Sequence, residues 1–184
     1  MRRAWWRRNL WGLLGIVVVL PLSAWLVFAT GWFTYFDVRP TQPVNIAEGE
    51  TAQFGGTTIT LMAAHVLDSE AAPAGTSIVS ALVEMEPGAV DAEGNSTMCI
   101  LALTGADGVG SADLGEWRAL STGDLDWRPA DPESAAGCDS TRAEPYLIET
   151  AYLVPDAALD LDLAVRLELL SELPRYLSLS LDPR

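Results

Sequence analysis

The sequence predicts an all-β antiparallel sandwich or barrel carried behind one membrane-spanning helix. Three observations lead there. Residues 9–36 carry no charge. The remainder holds seven or eight short apolar stretches, most with a two-residue period, separated by Gly, Pro, Asn and Asp turns. No helical repeats are interleaved among them, as a parallel sheet would require.

The helix comes first. A hydrocarbon core about 30 Å thick needs roughly 20 apolar residues at about 1.5 Å rise each, and residues 11–32 exceed that. Trp5, Trp6 and Trp11 cluster at one end and Trp32, Phe33, Tyr35 and Phe36 at the other, the depths at which amphipathic rings settle at a membrane interface. Arg2, Arg3, Arg7 and Arg8 precede the run. The positive-inside bias therefore makes residues 1–8 a cytoplasmic basic tail and residues 9–36 the anchor, with the rest outside the cytoplasm. A cleaved signal would have a shorter apolar region ending in small residues, and Val27-Phe28-Ala29 imitates that poorly.

Residues 37–49, with Pro40 and Pro43, read as a stiff linker, and residues 50–184 as one domain of ordinary size. All 25 acidic residues but only 7 of the 11 arginines lie from Asp37 onward, a formal net charge of −18. Such a field disfavours nucleic acid and anionic headgroups, and favours solubility or basic partners. Lysine is absent, a usage resembling high-G+C bacterial coding. Its absence excludes a P-loop lysine, a pyridoxal Schiff base and a Ser-x-x-Lys acyl enzyme.

Residues 57–66, rich in β-branched side chains after Gly55-Gly56, read as a strand. Residues 77–86 alternate, with Val79, Ala81, Val83 and Met85 on one side and Ser80, Leu82, Glu84 and Glu86 on the other. Residues 98–103 form another apolar run before a turn at 106–108. Residues 117–120 and 125–128 are expected as short strands around a turn at Thr122-Gly123. Residues 147–154 and 159–170 both fit a two-residue period, the second placing Leu159, Leu161, Leu163, Val165, Leu167 and Leu169 on one side. Residues 176–182 alternate leucine with serine as a final strand.

Cys99 and Cys138 are an even pair in the exported part, where a disulfide is the simplest expectation. Closing a loop of about 40 residues stabilises by about 4 kcal/mol in the chain-entropy model. His65, the only histidine, falls in an apolar strand and reads as a packed, hydrogen-bonded side chain rather than a catalyst. No Gly-x-Ser-x-Gly elbow occurs. Asp91, Glu93 and Asn95 place oxygen ligands at alternate positions around Gly94, a weak calcium candidate that lacks the glycine and glutamate spacing of an EF-hand. A solvated acidic turn has the same composition. Asp124 with Asp126, and Asp160 with Asp162, are expected on the outward side of strands.

Several segments together resemble a known type. They are the anchor, Cys99 opening Cys-Ile-Leu-Ala-Leu, Cys138 before Glu144-Pro145, the run from Tyr152 through Pro155-Asp156-Ala157, and the closing Pro174-Arg-Tyr176-Leu. They are similar to uncharacterised single-pass envelope proteins of high-G+C Gram-positive bacteria and to immunoglobulin-like extracytoplasmic domains of bacterial lipoproteins. The resemblance spans most of residues 45–184 and implies an immunoglobulin-like sandwich of seven to eight strands. Trp117 is misplaced for an antibody domain, Ala136 stands where a tyrosine corner would begin, and no lipid-bearing cysteine is present. Cys99 also lacks the Thr-Leu-x-Thr-Cys approach of sortase-type transpeptidases. The expectation is a non-enzymatic, membrane-anchored binding or accessory module of the cell envelope, without a cofactor. It would contact lipid through the helix and an envelope protein through the domain, and would not bind nucleic acid. The alternatives are a cell-wall enzyme working through carboxylates and a calcium-stabilised spacer.

Overall fold

A computed structural model of the chain describes residues 2–37, 39–88, 98–106 and 115–182. The chain divides into two compact units, Met1–Arg39 and Pro40–Arg184.

The first unit is the helix α1, Arg2–Asp37, with Pro21 inside it. Its apolar stretch, Asn9–Trp32, has 24 residues, and an 18-residue window within it has a mean hydropathy of 2.4. At about 1.5 Å per residue it is long enough to cross a bilayer. Among the described side chains of that stretch none is buried, and Trp11, Val17, Leu20, Trp25, Val27 and Phe28 are exposed. Phe28 and Trp32, one turn apart, stack with centroids 5.1 Å apart. Near the helix end, Arg39 donates to the Tyr35 hydroxyl at 2.8 Å and covers its ring.

The second unit is a two-layer sandwich. Among the described residues it has nine strands: β1 Gln42–Ile46, β2 Thr51–Phe54, β3 Thr57–Leu67, β4 Thr76–Glu86, β5 Cys99–Ala106, β6 Gly115–Arg118, β7 Tyr146–Pro155, β8 Asp162–Leu169 and β9 Arg175–Ser180. One sheet runs β1-β9-β8-β5-β6 and the other β2-β3-β4-β7. All pairings are antiparallel except β1 with β9. Alternation chooses the inward side. Val79, Ala81, Val83 and Met85 of β4 face Leu163, Val165, Leu167 and Leu169 of β8 across the core, all at most 3% exposed. Each of the valine, leucine and methionine side chains contributes about 1.5–3 kcal/mol on burial.

Four expectations change. Residues 37–49 are not a linker throughout, because β1 lies within them and pairs with β9. The Thr41 and Gln42 amides also donate to the Pro174 carbonyl at 2.9 and 3.1 Å, so parallel pairing captures a segment whose prolines read as spacer. Residues 125–128 are not a strand. Asp124–Asp126 form a 3-10 turn in which Leu125 and Asp126 take positive φ, and Asp124 and Asp126 stand on a turn rather than along a strand. Residues 159–161 also precede their strand, with Asp156–Asp160 forming a second 3-10 turn, so Asp160 sits on that turn and only Asp162 lies in β8. With β1 and β2 added, the described residues hold nine strands where seven or eight are expected. The 106–108 turn extends beyond the described residues.

β2 and β3 join through the two-residue turn Gly55-Gly56, with φ of +58° and +78°, values that L side chains adopt at a penalty. Gly88, just past β4, lies against this turn. A methyl at residue 88 would overlap the Gly56 carbonyl oxygen and meet its carbonyl carbon at 2.7 Å. Gly88→Ala is therefore expected to destabilise the sandwich by about 1–3 kcal/mol, while Gly137→Ala, with open space around it, leaves the urea midpoint unchanged.

Candidate functional site

The segment after β6 leaves its own sheet and runs along the outer edge of the other. Ala119 bridges Tyr152 antiparallel and Ala135 bridges Ile148 in parallel. The Leu120 amide donates to the Ala151 carbonyl at 2.7 Å, Ala135 to Leu147 at 2.8 Å, and Glu149 back to Ala135 at 2.9 Å. This strap occupies hydrogen-bonding groups that an edge strand would otherwise leave open to another chain. Trp127 anchors it in a small second core with Ile78 and Ala151 on the outer side of the four-stranded sheet. Glu149 binds it again, accepting from the Ala130 amide at 2.7 Å.

The strap ends at Cys138, which is disulfide-bonded to Cys99 at the start of β5, with Cα atoms 5.6 Å apart. The pairing expected from sequence is present. It also removes Cys99 as a nucleophile, since a bonded sulfur has no thiolate.

His65 departs from its expected packing. The β3–β4 register shifts between Leu61 and Ala63, so Met62 is the extra residue of a bulge. Before the bulge Thr57, Ile59 and Leu61 point inward; after it Ala64 does, and His65 turns out to solvent beside Ser80. Ser80 donates to Glu149 at 3.4 Å rather than to the imidazole, so these three residues do not form a nucleophile-base relay.

Asp91, Glu93 and Asn95 lie outside the described residues. Among the described residues, no group of three His, Cys, Asp or Glu side chains is placed to hold a metal ion. Beside the disulfide, Asp131, Glu133, Ser134, Arg142, Pro145, Tyr146 and Leu147 line a cleft of about 200 Å³. Arg142 stacks over the Tyr146 ring and pairs with Asp139 at 3.4 Å. Hydrogen bonds from the Thr141 hydroxyl and amide, aided by Arg142, hold the Asp139 carboxyl below its ordinary value. Their pattern caps a turn.

The outer side of the five-stranded sheet has more unusual electrostatics. The pairing registers set Pro43 beside Tyr176 across β1 and β9, and Glu168 beside Ile100 across β8 and β5, with Leu170 opposite Met98 beyond the latter pair. Glu168 is 8% exposed although it is on an outer side. Arg166 approaches it at 2.7 Å, at an angle outside hydrogen-bond geometry, and meets Glu116 at 2.8 Å. No sequence pattern singles out this triad, because a two-residue spacing of Arg and Glu is what any outward strand side looks like.

Two buried phenols titrate late. Burial raises Tyr152 well above the usual tyrosine range, with the Thr150 hydroxyl opposing weakly, although neither hydroxyl makes a well-formed hydrogen bond. Burial likewise raises Tyr146. Below pH about 10 both states hold these protons; above it the unfolded chain releases them before the folded chain does. Stability is expected to fall above pH 10, by up to about 1.4 kcal/mol per pH unit for Tyr152. Urea melts between pH 9 and 11 should show this loss, reduced in Tyr152→Phe.

No family model and no curated protein matches the chain. Among solved structures, a candidate lipoprotein from Staphylococcus aureus subsp. aureus NCTC 8325 is 9% identical with a TM-score of 0.41, covering 71% of this chain and 90% of its own. An uncharacterised β-sandwich protein from Clostridium difficile 630 is also 9% identical, with a TM-score of 0.38, covering 76% of this chain and 95% of its own. Both come from Gram-positive bacteria, and both likenesses are remote.

Proposed function

We propose that the chain is a single-pass accessory module of the bacterial cell envelope, its N-terminus cytoplasmic and its sandwich displayed outside to bind another envelope component without catalysis. One observation carries the reading. An apolar helix of membrane-spanning length, none of its described side chains buried, precedes a domain closed by a disulfide. Lipid satisfies the first feature and an oxidising compartment the second. The four N-terminal arginines orient the helix.

The sandwich is immunoglobulin-like in this proposal. Lettered in that scheme, β3, β4 and β7 take positions A, B and E of one sheet, and β9, β8, β5 and β6 take G, F, C and C′ of the other. The lack of lysine supports a high-G+C source. A binding role is favoured because Cys99 and Cys138 are bonded and His65, Ser80 and Glu149 do not form a nucleophile-base relay.

Photo-crosslinking in intact cells tests the binding role. Capture of a defined envelope protein, lost when surface residues of the sandwich are changed, is expected. Failure to capture any protein, together with turnover of a wall fragment that one Asp or Glu substitution abolishes, would instead make the chain a carboxylate enzyme. A calcium-dependent rise in melting temperature would identify the spacer alternative, since a ligand selective for the folded state must raise the midpoint.

A further inference from the structure

The strap, residues 119–138, is fastened to the sandwich at few points. A continuous partner strand would engage both the N–H and the C=O of every second residue of β7. The strap engages one group each at Leu147, Glu149 and Ala151. Its other main-chain bonds are internal: the Asp124 amide donates to the Ser121 carbonyl, Gly123 to Trp127, Trp127 to Asp124 and Ser134 to Asp131. It is therefore a self-bonded piece that can leave the edge as a unit.

Unfavourable features gather in the same place. Among the described residues, five buried side-chain polar atoms have no hydrogen-bond partner, and four belong to the strap or to β7: Trp127 Nε1, Ser134 Oγ, Thr150 Oγ1 and Tyr152 Oη. A buried polar group without a partner weighs against the folded state. Both non-glycine residues with positive φ among those described, Leu125 and Asp126, are also in the strap, in a conformation that L side chains adopt at a penalty. The buried apolar residues opposing these terms are only Ile78, Trp127 and Ala151. The covalent fastening is the Cys99–Cys138 bond at the end of the strap. Cys99 is buried and Cys138 half-buried, so the sulfur on the strap is the more open of the two.

We infer that the strap is a redox-released cover: reduction of the Cys99–Cys138 bond by a dithiol detaches residues 119–138 from β7 while the sandwich stays folded. A thiolate of the reductant attacks the Cys138 sulfur, forming a mixed disulfide and expelling Cys99 as a thiolate that takes up a proton. The second thiol of the reductant then displaces Cys138, and the reductant departs as its own disulfide. Two electrons have passed to the chain, and both cysteines end as thiols. In the oxidised form β7 is bonded to its own chain; in the reduced form its edge presents main-chain groups of the kind that pair with an extended segment. The release is a property of the sandwich alone and depends neither on the reading of α1 nor on the binding role.

Hydrogen exchange with and without dithiothreitol tests the release. The full chain in detergent is reduced at neutral pH, and maleimide labelling verifies thiols at Cys99 and Cys138. The amides of Leu120, Ala135 and Glu149 and the indole N–H of Trp127 should then exchange at least about tenfold faster. The Val83 and Val165 amides, in β4 and β8, should keep their rates, and re-oxidation should restore the strap. Unchanged strap rates in the reduced chain would overturn the inference, because packing alone would then hold residues 119–138. Equal acceleration at Val83 and Val165 would overturn it too, by making the bond a fastening of the whole sandwich. Thiols that form only after urea unfolds the chain would do the same, since a dithiol would then have no access to the bond in the folded protein.

Discussion

Replacing both cysteines, Cys99→Ala with Cys138→Ala, should lower the stability of the sandwich by about 3–4 kcal/mol. The bond spans 39 residues of sequence, and closing a loop of that size restricts the unfolded chain by about this amount in the entropic model. The strap gives the loss a location. Between Ala119 and Cys138 it is held by main-chain bonds to β7, the burial of Trp127 and the Glu149 carboxylate. These contacts form one end of the molecule's cooperative structure and should open first. Urea unfolding of the full chain in detergent should show a lower midpoint at unchanged slope, and hydrogen exchange should show Leu120, Ala135 and Glu149 losing protection before β4 and β8. A loss under about 1 kcal/mol would mean that the strap is held by its packing rather than by the bond.

Arg166→Met should be the second large effect, at about 2–3 kcal/mol, somewhat below the 3–5 kcal/mol of fully buried pairs. Arg166 and Glu168 side chains are 14% and 10% exposed, and Arg166 also serves Glu116, which is half exposed. Removing the guanidinium leaves Glu168 with little water and no counter-charge. Glu116→Ala, at the open end of the triad, should cost under about 1 kcal/mol. Arg166→Met combined with Glu168→Leu should recover most of the stability, because apolar side chains of similar volume can replace a buried pair. Chemical denaturation of the unaltered chain, Arg166→Met, Glu168→Leu and the double variant measures the coupling. If the double variant is no more stable than Arg166→Met, the loss comes from packing of the arginine stem and not from a stranded charge.

The strands that sequence reading locates best are those whose alternation is driven by a continuous apolar core. Val79 to Met85 and Leu163 to Leu169 show their inward sides in the residue order itself, and the structure buries those side chains. β1 and β2 are hidden for a different reason. Gln42–Ile46 is mostly outward and Thr51–Phe54 buries only its last residue, so their place is set by hydrogen bonding to β9 and β3, which leaves little trace in composition. The bulge at Met62 is invisible to periodicity because one extra residue reverses the phase of everything after it, and this is why His65 stands in solvent. The turn at Asp124–Asp126 is set by burial of Trp127 against the other sheet, a distant constraint that no local pattern encodes. Of the candidate residues, Cys99 and Cys138 are brought together, while Asp91, Glu93 and Asn95 lie outside the described residues.

Protease applied to intact spheroplasts probes the export of the sandwich most directly. Digestion of an epitope placed after Asp182, with a cytoplasmic control protein spared, is the predicted result. Survival of that epitope while a known surface protein is degraded would place the sandwich inside the cell and contradict the account.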